Sequence, residues 1–189
     1  MSDAHDDWLM VAVQRGDVDH LGVLFERYHR PLFAFFARMT RDRVVSEDLV
    51  QEVFLRVLRF RQTYRPGSQF RTWLYQIARN LCHDRLRGSE REAPIDEMHE
   101  VIMPVQPEDD ALDRSQQARL LRQALADLPP ARREVLVLSR FQDLKYEQVA
   151  AVLGCEVGAV KVRVHRALKE LRQRYLTLIE KRTTWTATS

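Results

Sequence analysis

The chain has 189 residues, of which 45% are hydrophobic and 30% charged, with a net charge of +3. That is enough for one large or two small domains with cores of their own, and no apolar run approaches the ~20 residues of a bilayer-spanning helix. Two distant cysteines, Cys82 and Cys155, do not make a disulfide framework, and the acidic start MSDAHDDWLM has no secretory pattern, so a cytosolic protein with reduced thiols and no membrane insertion is expected.

The charge is unevenly placed. Residues 1–90 carry a net +2, residues 91–113 a net −7, and residues 114–189 a net +8. A basic C-terminal third suits a binder of nucleic-acid phosphates. The acidic middle would be repelled by DNA, so it belongs in solvent or in a positively charged protein channel.

In chain order, apolar residues recur at helical spacing and no stretch keeps period-two alternation, which predicts an all-α chain without a sheet. The first helices are predicted over Trp8–Arg15, Val18–Met39, Ser46–Phe60 and Phe70–Leu86. Gly16-Asp17 ends the first, and Pro31 is expected to kink or restart the second. Ser46 is the expected N-cap of the third, with Glu47 and Asp48 in its dipole-favoured first turn. On that helix Leu49, Val50, Val53, Phe54, Val57, Leu58 and Phe60 form a broad apolar arc, leaving Asp48, Gln51, Glu52 and Leu55 on a narrow outer strip suited to a basic protein partner.

Pro66-Gly67-Ser68 breaks the chain again. Around it, TYRPGSQFRTWLYQIARN combines Tyr64, Phe70, Trp73 and Tyr75 with Arg71, Arg79 and Asn80. Aromatic rings beside guanidiniums suit single-stranded nucleic acid, with rings stacking on bases and arginines holding phosphates. Trp73 is the ring most expected in the core, and a loop that accepts an extruded base, backed by Asn80, is the sharper reading.

Residues 89–113, with Pro94, Pro104 and Pro107, read as an acidic flexible linker between a first domain at 1–88 and a second at 114–182. The tail 183–189 is expected to be disordered. The second domain reads as helices over Arg114–Ala126 and Pro130–Arg140, then the block KYEQVAAVLGCEVGAVKVRVHRALKELR. In that block Val149, Val152 and Leu153 give one apolar face, and Gly154 can adopt the positive φ that ends a helix. Val164, Ala167, Leu168 and Leu171 fall within about 80° of Val160 at 100° per residue, while Lys161, Val162, His165, Arg166 and Lys169 face outward. This is a helix-turn-helix pattern with a basic outer face for a DNA major groove.

Three ordered motifs, SEDLVQEVFLRV, FRTWLYQIARNLCHDRLR and LPPARREVLVLSRFQDLKYEQVAAVLGCEVGAVKVRVHRAL, resemble those of the extracytoplasmic-function sigma factors of bacterial RNA polymerase, over about Trp8 to Tyr175. The resemblance implies two small helical domains, a region 2-like bundle and a region 4-like helix-turn-helix domain. It implies a noncatalytic, cofactor-free subunit that binds core RNA polymerase and directs it to promoter DNA, as duplex and as non-template single strand. By the same resemblance Asp48, Gln51, Glu52 and Leu55 dock the polymerase clamp helices. Tyr64, Ser68, Phe70, Arg71, Trp73 and Asn80 recognise and melt the minus-ten element. Lys161, Val162, His165 and Arg166 read the minus-thirty-five element, with Arg163 and Lys169 on phosphates. The acidic linker would thread the polymerase's basic channels.

Regulation is expected from outside the chain, through an anti-sigma protein, which is also the expected route of any membrane tethering. Val162 departs from the family's usual small polar residue and limits that position to apolar contact such as a thymine methyl. His165 and the Cys82-His83 pair are also unusual, and buried structural thiols are expected rather than a metal site. The alternatives are a stand-alone helix-turn-helix regulator, which leaves the aromatic-arginine loop and linker unexplained, and a nuclease. For the nuclease, His5, Asp6, Asp7, His20 and His29 are scattered over different elements and form no catalytic constellation.

Overall fold

The computed structural model describes residues 3–92 and 111–186, and every regular element among them is helical. The first domain comprises α1 (Asp3–Gln14), α2 (Asp19–Thr40), α3 (Arg43–Arg59) and α4 (Phe70–Glu92). The second comprises α5 (Ala111–Ala126), α6 (Pro130–Leu136), α7 (Tyr146–Leu153) and α8 (Val157–Thr186).

The first bundle closes around side chains spaced three and four apart on α2, Leu24, Tyr28, Leu32, Phe35 and Phe36, all buried. They meet Val53 and Val57 of α3 and Leu74, Tyr75 and Ala78 of α4, all fully buried. Edge-to-face contacts of Phe35 with Tyr75 (5.7 Å between centroids) and Tyr28 with Phe70 (5.6 Å) fix the α2–α4 crossing.

Several sequence expectations shift. α2 runs unbroken through Pro31. The buried face on both sides of the proline outweighs the ~3 kcal/mol cost of a proline inside a helix. Arg41 ends α2 in the left-handed conformation (φ 64°), and Asp42, not Ser46, caps α3 by accepting from the Val45 amide at 3.0 Å. Ser46 is instead buried one turn into the helix, its hydroxyl donating to the Asp42 carbonyl at 2.5 Å. α4 extends to Glu92 and α5 begins at Ala111, so the helices take several residues from both ends of the expected linker. Its remainder, residues 93–110, lies outside the described residues. α8 continues to Thr186, through the start of the expected tail.

In the second domain Pro130 sits at the start of α6, where its missing N–H costs nothing. After Leu136 the helix widens into a π turn over Val137–Phe141. The Lys145 amide donates to Gln148 Oε1 at 3.0 Å at the start of α7. Gly154 ends α7 at φ 64°, ψ 43°, the left-handed conformation that needs a glycine, and the chain turns directly into α8. Val160, Val164 and Ala167 are buried against α6 and α7 as the periodicity requires, but Leu168, expected in the same stripe, is 38% exposed.

The two domains pack together, α4 against α7 and α2 against α6 and the π turn. Their buried apolar residues form one continuous cluster.

Candidate nucleic-acid interface

Three surfaces carry the residues singled out by the sequence. The first is the outer strip of α3. Asp42 caps the helix, and Leu49, Val50, Val53, Phe54 and Val57 are buried in the bundle, which leaves Asp48, Gln51 and Leu55 in solvent. Leu55 is 62% exposed, a large apolar side chain with no intramolecular cover. Glu52 is half-buried and accepts from Arg56 Nε at 3.0 Å. The strip is therefore acidic with a protruding leucine. Phe60, expected in the apolar arc, is itself 43% exposed.

The second surface is the loop between α3 and α4. Asp7 of α1 organises it: one carboxylate oxygen accepts from the Tyr64 hydroxyl at 2.5 Å and from the Gly67 amide at 2.8 Å. Gln14 Nε2 donates to the Tyr64 carbonyl at 3.0 Å. Gly67 and Gln69 both take positive φ, 81° and 59°. Burial, reinforced by the hydrogen bond to Asp7, holds the Tyr64 phenol neutral, well above its ordinary range. Tyr64 and Phe70 are buried, so they form the foundation of the loop and leave no ring face free for a base. Trp73 is half-buried, edge-on to Tyr64 at 5.2 Å. Ser68 and Asn80 face solvent. Arg71 is half-buried and donates to the Gln142 carbonyl of the second domain.

The third surface is α8. Lys161, Val162, Arg163, His165, Arg166 and Lys169 are all exposed; all but Arg163 turn away from Val160, Val164 and Ala167, whereas Arg163 flanks that buried stripe and lines the cleft between the domains. The structure therefore brings five of the six onto one exposed face of one helix, with Arg163 at its side. Glu170 ends that face by pairing with Arg132 and, at 2.7 Å, with Arg174.

α4 is also where the domains are joined. Glu134 of α6 is buried and accepts from Arg79 Nε at 3.1 Å and from His83 Nε2 at 2.7 Å, so one carboxylate holds two residues of α4. Gln76 Nε2 donates to the Ala151 carbonyl at 3.0 Å, and Gln148 Nε2 to Gln69 Oε1 at 3.0 Å. Cys82, one residue before His83, is fully buried, and burial, with Glu134 adding to it, pushes its thiol up to about 12. Among the described residues no group of three or more His, Cys, Asp or Glu is placed to hold a metal ion, and no helix is long and apolar enough to cross a membrane.

Sequence reasoning missed the structural acids. Asp6 is buried, accepting from the Tyr28 hydroxyl at 2.6 Å and from Arg27, and Asp7 builds the loop. An acid–aromatic pairing 57 residues apart leaves no periodic trace to find.

Residues 24–92 match the family described as Sigma-70 region 2, and residues 118–171 match Sigma-70, region 4. The RNA polymerase sigma factor CarQ of Myxococcus xanthus is 35% identical over 158 residues, covering 84% of this chain and 90% of that protein. The ECF RNA polymerase sigma factor SigW of Bacillus subtilis is 30% identical over 172 residues, covering 85% and 91%. Among solved structures, the sigma factor RpoE of Bartonella quintana, in complex with the anti-sigma factor NepR, is 27% identical with a TM-score of 0.68, covering 84% of this chain and 96% of that one.

Proposed function

This chain belongs to the sigma-70 family, within the extracytoplasmic-function class of RNA polymerase sigma factors, and from that premise we propose how its surfaces divide the work of promoter selection. The acidic strip of Asp48, Gln51, Glu52 and Leu55 docks on core RNA polymerase, with Leu55 as the apolar anchor of a charged interface. The loop over α4 engages the minus-ten element. Ser68 and Asn80 are the solvent-facing polar groups that meet an extruded non-template base, Arg71 and Trp73 border it, and buried Tyr64 and Phe70 keep the loop rigid. The α8 face enters the major groove at the minus-thirty-five element. There Lys161, Val162, His165 and Arg166 lie toward base edges, with Arg163 and Lys169 toward phosphates.

The observation that carries this reading is the simultaneous exposure of three chemically distinct faces, acidic-apolar on α3, polar on the α4 loop and basic on α8, on two modules in the order of regions 2 and 4. A stand-alone regulator has no use for the first two. The chain performs no chemistry of its own and works in the cytoplasm. An anti-sigma protein controls it by covering these faces, as the complex of the Bartonella relative suggests.

In vitro transcription with purified core RNA polymerase and a pool of promoter fragments tests the proposal. Start sites that need both the core and this chain support it. Specific duplex binding by the chain alone, with no initiation, would move the assignment to a regulator.

A further inference from the structure

Between the two domains lies a cleft of about 800 Å³, in the range of small-molecule sites. Arg41, Arg79 and Arg87 line it from the first domain, and Arg132, Arg133, Arg163 and Arg166 from the second. Glu134 is the single carboxylate in the lining, and it is already occupied by Arg79 and His83.

Of the other arginines, Arg132 pairs with Glu170, Arg87 with Asp84 at 2.6 Å and Arg41 with Asp127 at 3.4 Å, but Arg41 and Arg133 keep buried donors that these partners do not reach. Arg133 donates to the carbonyls of Met39, Ala126 and Leu128 at 3.1, 2.6 and 3.1 Å, but those contacts use only its terminal nitrogens. Its Nε, and that of Arg41, are buried without a hydrogen-bond partner among the described residues. Burial first, and then the charge of Arg41, lower the affinity of Arg133 for its proton, with Asp127 opposing them. Buried donors left unpaired and like charges held together both cost free energy, and an anion in the cleft relieves both.

All seven cations are arginine. The planar fork of a guanidinium matches phosphate oxygens bidentately, which an ammonium does not. Leu86, Pro130 and Leu153 add apolar surface to the lining. We propose that this interdomain cleft binds a linear polyphosphate group, free or as the phosphate chain of a nucleotide, bridging α4 and the loop after α2 on one side to α6 and α8 on the other. Two of its arginines, Arg163 and Arg166, belong to the face assigned to the minus-thirty-five element. The bound anion therefore competes with duplex DNA and, by mass action, favours the closed packing of the two domains.

The test is calorimetric titration of the full chain, without polymerase, so that its outcome is independent of the sigma assignment. The probes are inorganic tripolyphosphate in one arm and guanosine triphosphate in the other. Saturable binding with one site per chain is expected, weakened about tenfold by Arg41→Ala and again by Arg87→Ala, the loss of one charge-assisted contact each. Arg43→Ala, which removes the same charge outside the cleft, leaves it unchanged. Arg87→Lys separates fork geometry from charge, and circular dichroism shows that each variant is folded. Tighter binding of guanosine triphosphate assigns a nucleotide, and equal binding assigns the phosphate chain alone. Absence of saturable binding, an equal loss in Arg43→Ala, or displacement by polyglutamate as effective as by tripolyphosphate would overturn the proposal.

Discussion

Tyr75 of α4 donates its hydroxyl hydrogen bond to Gln142 Oε1 of the second domain at 2.5 Å, and both side chains are buried. The main-chain carbonyl of Gln142 accepts at the same time from Arg71. One residue at the end of the π turn thus receives two contacts from the helix that also carries Asn80. α4 of the first domain is held by the domain that carries the basic face of α8. Under the proposed division of the promoter between the domains, reaching both elements requires these contacts to break.

Gln142→Ala leaves the Tyr75 hydroxyl buried without an acceptor, which costs about 1–3 kcal/mol. The urea midpoint of the full chain should fall accordingly. Adding Tyr75→Phe to Gln142→Ala should recover part of the loss, because no unpaired donor then remains. A double-mutant cycle reads the coupling, and strict additivity of the two substitutions would show that the contact is not formed in solution.

Asp7 controls the loop at its root. Asp7→Ala removes the acceptor of the buried Tyr64 hydroxyl and of the Gly67 amide together. The expected destabilisation of the first domain is ~2 kcal/mol. Asp7→Asn keeps an acceptor oxygen and should recover most of it, which thermal denaturation of the two variants would show.

The basic face of α8 was legible because helical periodicity is strong there: Val160, Val164 and Ala167 inward, Lys161, Val162, His165, Arg166 and Lys169 outward. Leu168 was misplaced because it sits at the edge of that stripe, where the burial available depends on how far the packed helices reach. The α3 cap was misread because Asp42 and Ser46 both carry capping chemistry and only the left-handed turn at Arg41 selects between them. The strip of Asp48, Gln51 and Leu55 was legible as what remains after the apolar arc is removed. The join between domains was not, because Glu134, Gln142 and Tyr75 act across 51 to 67 residues of chain and have no local pattern.

Leu55→Arg should lower affinity for core polymerase at least about tenfold, since it places a charge where the proposed docking strip offers an apolar anchor. Because the side chain is exposed, the thermal midpoint should move little. Pull-down or fluorescence titration with core enzyme measures the first and a melting curve the second. Unchanged core binding would remove α3 from the docking surface.

The Cys82 thiol has a model-compound pKa of 9.0 and is held at about 12 in the fold, first by burial and then by Glu134. Below pH 9 the thiol is neutral in both states and contributes no pH dependence. Between pH 9 and about 12 the unfolded thiol loses its proton while the folded one keeps it. The unfolded state then binds fewer protons, so stability falls as pH rises. Cys82→Ala should remove that part of the alkaline slope. In the native protein at pH 8, iodoacetamide should modify the partly exposed Cys155 well before Cys82, and mass spectrometry of quenched samples gives the order.

Asn80 and Arg166 sit on different domains, and their loss should fail at different steps. Asn80 is exposed on α4 while Tyr75 and Ala78 are buried, so Asn80→Ala changes the surface of α4 without disturbing its packing. Upstream DNA binding by the holoenzyme should survive, while permanganate reactivity of unpaired thymines in the minus-ten region should drop. Arg166→Ala should cost ~1–3 kcal/mol of discrimination at one upstream base pair if its guanidinium reads a guanine. A loss spread evenly over all upstream sequences would assign it to phosphate instead. Prior opening of the fork, by a mismatched bubble, should rescue Asn80→Ala and leave Arg166→Ala unrescued, because a preformed bubble supplies strand separation but not upstream recognition. Rescue of both variants would mean that the two domains do not divide the promoter between them.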